Sequence, residues 1–102
     1  MDSDLDEETE RLFKIVLDNA DKFQTANPYL FQDLAQGLPY AVLGSGIKDE
    51  GLARTFDYIF EGLGLKDRNF LGQLKDRAGE GTAARALLDS LIHHQLSLYL
   101  RD

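Results

Sequence analysis

The chain contains no cysteine, which removes disulfides, thiol nucleophiles and thiolate metal sites from consideration. It has no apolar run near the ~18 residues that cross a membrane, so no membrane partner is expected. Its first residues, Met1-Asp2-Ser3-Asp4, are acidic where a secretory leader is basic and then apolar. β-branched residues are scarce. Valine, isoleucine and threonine together number ten, against eighteen leucines. Leucine keeps its rotamer freedom in a helix, whereas β-branched side chains lose theirs. No stretch of five or more residues alternates apolar and polar between turns, as a half-buried strand does. Linkers and low-complexity tracts are missing too.

What is present fits one soluble, cytoplasmic domain spanning residues 1–102. Apolar residues make up 43% and charged ones 28%, a globular mix. A chain of this length buries roughly 60–70% of its unfolded surface, enough to fold without a metal or a crosslink. The net charge of −7 is concentrated at one end. Residues 1–10 hold six acids and no base, and the remaining residues are nearly balanced. Acids in a first helical turn complement the helix dipole, so residues 1–4 read as an acidic cap segment. With no basic stripe for phosphates, no nucleic-acid partner is expected.

The periodicity predicts an all-α bundle of about three long and two short helices, with no sheet. A first helix is expected over residues 5–24, opened by an Asp4/Glu7 capping box and burying Leu5, Leu12, Val16, Ala20 and Phe23. Asn27 and Pro28 then suit the N-cap and first position of a short helix over residues 28–36, closed by Gly37. Pro39 is expected to start a short turn through residue 43. A helix over residues 49–62 turns Leu52, Ala53, Phe56, Ile59, Phe60 and Leu63 to one face, with Gly62 and Gly64 as candidate left-handed end residues. Asp67 caps a short helix over residues 67–78, and Thr82 caps the last, over residues 82–100.

Chemical motifs fail on inspection. Asp2-x-Asp4-x-Asp6 opens like a calcium loop, but Glu7 and Phe13 stand where the glycine and the bidentate glutamate belong. Gly46 and Gly51 have P-loop spacing, but Leu52 replaces the phosphate-binding lysine. Gly44-Ser45-Gly46 fits neither a dinucleotide fingerprint nor a serine-hydrolase elbow. A helix-turn-helix reading starting at Leu34-Ala35 meets Pro39 and Ser45 at the wrong positions. His93 and His94 point about 100° apart on a helix, so they do not share a metal and read as surface or boundary residues. No catalytic residue, metal or cofactor is expected.

The last helix carries the functional expectation. With Ala84 at zero and about 100° per residue, its apolar side chains span an arc of about 180°, more than one neighbour covers. Gln95 falls inside that arc. It is either a residue that specifies register or partner, or a wet side chain at a frayed end. The expected interface comprises Leu87, Leu91, Gln95, Leu98 and Tyr99, with Tyr58 as a further exposed aromatic contact. The chain thus reads as a small non-enzymatic interaction or regulatory module that forms a homodimer or binds a protein partner. The alternative is a small-molecule binder with a pocket lined by Phe56, Phe60 and Phe70.

Overall fold

Five helices and no strand occupy the residues that the computed structural model describes, 7–37, 47–64 and 66–101. They are α1 (Glu7–Ala26), α2 (Leu30–Ala35), α3 (Glu50–Leu63), α4 (Arg68–Arg77) and α5 (Ala83–Arg101). Three are long and two short, the all-α architecture expected. The Asp4 cap, Leu5, the calcium-like triplet, the turn after Pro39 and the Gly44–Gly46 loop lie outside the described residues.

Side-chain caps set the helix starts. Asp49 Oδ1 accepts the Leu52 amide at 3.0 Å, and Asp67 Oδ1 accepts the Phe70 amide at 2.9 Å. Thr82 Oγ1 accepts the Arg85 amide at 3.2 Å. Each such cap contributes about 1 kcal/mol. Helix α2 starts two residues later than expected. Asn27 Oδ1 takes the Tyr29 amide at 3.1 Å, and the Asn27 carbonyl takes the Leu30 amide at 2.9 Å. Those bonds wind Pro28 and Tyr29 into a tight turn before helical bonding begins.

Gly37 ends α2 with φ +88°, the left-handed conformation expected of it. Gly62 and Gly64 do not behave that way, because Gly64 keeps a right-handed φ of −63°. At 62 the absent side chain leaves room for Leu12, which would have to shift to admit a Cβ. A Cβ there would collide with Leu12 Cδ1 of α1, so the missing side chain lets α1 and α3 approach closely.

The core lies between α1, α3 and α5. Phe23 meets Phe56 edge-on at 5.5 Å between ring centroids, and Phe56 sits 6.3 Å from Phe60. Leu12, Val16, Phe23, Phe56, Ile59, Phe60, Leu88 and Leu91 are buried, as expected. Ile92, expected with them, is half-buried, since it lies about 80° from Ala84, at the edge of the arc. Helix α5 is the axis of the assembly and packs against α1, α2 and α4. Arg77 ties α4 to α1. It forms a two-pronged pair with Glu10 at 2.9 and 3.2 Å and lies 4.6 Å over the Phe13 ring. The Glu10 hydrogen bond raises the Arg77 pKa further, so this guanidinium keeps its charge.

Candidate functional site

Helix α5 divides into a buried body and an exposed end. Leu87 and Leu91 are 0% and 1% exposed. This corrects their assignment to an interface. The wide apolar arc is real, but three helices of the same chain cover it, so neither side chain reaches a partner while the domain is folded.

His94 is also corrected. It is 4% exposed rather than at a boundary. A carbonyl only accepts, so Nδ1 carries the hydrogen and donates it to Leu34 O of α2 at 3.0 Å. The ring stands edge-on to Phe60 at 5.2 Å. The signal was available in the sequence. On the α5 wheel His94 falls about 20° from Leu87, just beyond the edge of the apolar arc, close enough for α2 to cover it.

Gln95 follows neither expected course. Its Nε2 donates to the carbonyls of Gly64 and Lys66 at 2.6 and 2.5 Å. The polar residue in the arc finds its partner inside its own chain and pins the α3–α4 connection against α5. Those carbonyls end α3 and precede α4, where helical bonding leaves acceptors unused.

Beyond Gln95 the helix emerges. Leu98, Tyr99 and Leu100 are 43%, 71% and 71% exposed. Beside Leu100 a groove of about 440 Å³ runs between α2 and α5, lined by Gln32, Ala35, Gln36, His93, Leu96, Ser97 and Leu100. Ser97 Oγ donates to Gln36 O at 3.2 Å and closes one wall. The Arg68 guanidinium of α4 lies 6.0 Å from the Tyr99 ring. Leu96 and Leu100, absent from the expected contact set, belong to this surface because α4 and α2 leave that side of α5 open.

Tyr58 is exposed, as its polar neighbours Arg54 and Glu61 suggested. It is not brought to the α5 end. Phe60 touches α5 through His94, and Tyr58 points about 160° away from it.

A polar cluster joins α4 and α5. Asp89 holds Lys75 at 2.7 Å through one oxygen, and His93 Nε2 lies 3.5 Å from the other. All three are substantially solvated. Among the described residues no group of three His, Asp or Glu side chains is placed to hold a metal. No described helix is long and apolar enough to cross a membrane. Phe56 and Phe60 pack on each other and on neighbouring rings, and Phe70 lies under the Lys66 ammonium at 5.6 Å. Compared with known families, curated proteins and solved structures, the chain matches none. The functional reading therefore stands on geometry alone.

Proposed function

We propose that the protein is a non-enzymatic interaction module, acting in the cytoplasm, that docks a protein partner through the exposed end of α5. One observation carries the reading. Tyr99 and Leu100, both 71% exposed, and half-buried Leu96 fall within about 100° of one another on α5. They form one apolar patch beside the α2–α5 groove, while Leu98 lies about 160° from Leu100. Single exposed apolar residues are ordinary, whereas contiguous ones beside a groove mark interaction sites. Tyrosine is enriched among residues that anchor interfaces. The packing of Phe56 against Phe23 and Phe60 supports this reading over a small-molecule pocket.

The test compares wild type with Tyr99→Asp. Sedimentation velocity from low-micromolar to near-millimolar concentration reads self-association, and selection from a displayed library reads partner binding. The expected result is association or binding that falls about 30-fold or more in the variant, the size of a typical anchor, with an unchanged melting temperature. If wild type neither associates nor selects any ligand that depends on Leu98, Tyr99 or Leu100, the proposal is wrong.

A further inference from the structure

We infer that the occupant of this surface is an acidic amphipathic segment of another protein. This rests on the docking role just proposed and adds the chemistry of the partner.

The argument is one of charge. The chain as a whole carries −7, yet this surface is the exception. Residues 90–101 contain no acid, and none lines the α2–α5 groove. (Asp102 lies outside the described residues.) The cations next to the surface are held in place. Gln95 bonds the Lys66 carbonyl and so brings the 66–68 segment against α5, one turn before Tyr99. Arg68 then lies by the Tyr99 ring and Lys66 by the Phe70 ring. The one acid in that segment, Asp67, accepts the Phe70 amide through Oδ1 and keeps its charge, so residues 66–68 carry a net charge of about +1. No ion pair consumes Lys66 or Arg68 among the described residues.

An apolar strip flanked by two unpaired cations fits a ligand with apolar side chains along one face and carboxylates along the adjacent one. The geometry also fixes its orientation. The last carbonyls of α5 carry partial negative charge. The carboxylates therefore face Arg68 and Lys66 on the α4 side, and the apolar face lies on Leu96, Tyr99 and Leu100. A second copy of the chain is the weaker candidate, because pairing this surface with itself about a two-fold axis brings no carboxylate of residues 90–101 to Lys66 and Arg68 and sets like charges near each other.

A library of random displayed peptides, selected on immobilised wild type and counter-selected on Tyr99→Ala, tests the inference. The expected winners are rich in Asp and Glu interleaved with Leu or aromatic residues. Their affinity should fall about 30-fold or more in Tyr99→Ala. In Arg68→Glu it should fall several-fold, with a shallower dependence on salt. Glutamate at the first position of α4 suits the helix dipole, so this variant folds, and its melting temperature checks that.

Winners that depend on Tyr99 but are neutral or basic would overturn the acidic partner and leave the docking role standing. Vesicles containing phosphatidylserine that bind more tightly than any peptide would overturn it in favour of a lipid surface. Self-association that depends on Tyr99, with no peptide selected, would overturn it in favour of a second copy. No ligand and no association at all would remove the docking role as well.

Discussion

Replacing Gln95 by leucine tests whether this side chain belongs to the fold or to an interface. The substitution nearly keeps the volume and removes the Nε2 donor, so the Gly64 and Lys66 carbonyls lose their shared partner. Each hydrogen bond is worth about 0.5–1.5 kcal/mol net, and a buried acceptor left unpaired costs about 1–3 kcal/mol. Gly64 is buried, while Lys66 and Gln95 are only half-buried. Water therefore relieves part of the loss, and the added leucine methyls offset some more. The expected destabilisation is about 1–3 kcal/mol. For a chain of this size that lowers the melting temperature by roughly 5–20 °C. Urea unfolding should show a lower midpoint with an unchanged slope.

Gln95→Glu sharpens the test. An ionised carboxylate facing two carbonyls is repelled, whereas its protonated form donates to one of them. Its folded pKa is therefore raised above the unfolded value of about 4.3. The folded state then binds more protons than the unfolded state between those two values, so stability falls as pH rises through that window. The deficit of this variant against wild type should narrow in acid and widen towards neutrality. A leucine variant within ~0.5 kcal/mol of wild type, or a glutamate variant with no such pH dependence, would refute the internal role.

Other substitutions probe single contacts. His94→Phe keeps the ring but removes one of two hydrogen bonds accepted by Leu34 O, the Gly37 amide keeping the other at 3.0 Å, at about 0.5–1.5 kcal/mol; His94→Ala adds a cavity and should cost more by urea unfolding. Gly62→Ala gains up to ~1 kcal/mol of helix propensity but drives a methyl into Leu12, so a net loss of about 1–3 kcal/mol is expected. Leu12→Ala should recover part of it in a double-mutant cycle. Asp67→Ala removes the α4 cap and should lower stability by about 1 kcal/mol. Glu10→Gln breaks an exposed pair with Arg77 and should change it by less than ~1 kcal/mol, with the effect vanishing at high salt.

The helices were legible because each one announces itself locally. Asp49, Asp67 and Thr82 are caps by residue type, and Gly37 ends α2 by its conformational freedom. The apolar face of α3 follows from a single period. What stayed hidden depends on contacts between distant segments. An arc of about 180° on α5 says that much of the helix is covered, but not by whom. One partner and three helices of the same chain give the same wheel, so Leu87 and Leu91 were placed on an interface. Gln95 was ambiguous for the same reason, since its acceptors lie some thirty positions upstream. Gly62 carried the opposite difficulty. A glycine near a helix end suggests a left-handed turn, and only the position of Leu12 on α1 shows that its role is to leave room. The exposed end was half legible. Leu98 and Tyr99 were named, while Leu96 and Leu100 join them only because α2 and α4 leave that side of α5 uncovered.

The central claim is that α5 serves the core up to Gln95 and a partner only beyond it. Urea unfolding of Leu91→Asp and Tyr99→Asp side by side tests it most directly. Leu91 is 1% exposed and Tyr99 71%. A charge at 91 should cost at least about 4 kcal/mol, a large fraction of a domain's total stability of about 5–15 kcal/mol, and lower the urea midpoint sharply. A charge at 99 should stay within ~0.5 kcal/mol of wild type. A Leu91→Asp chain that stays folded and helical, with losses at the two sites alike, would contradict the account and return the whole face of α5 to an interface.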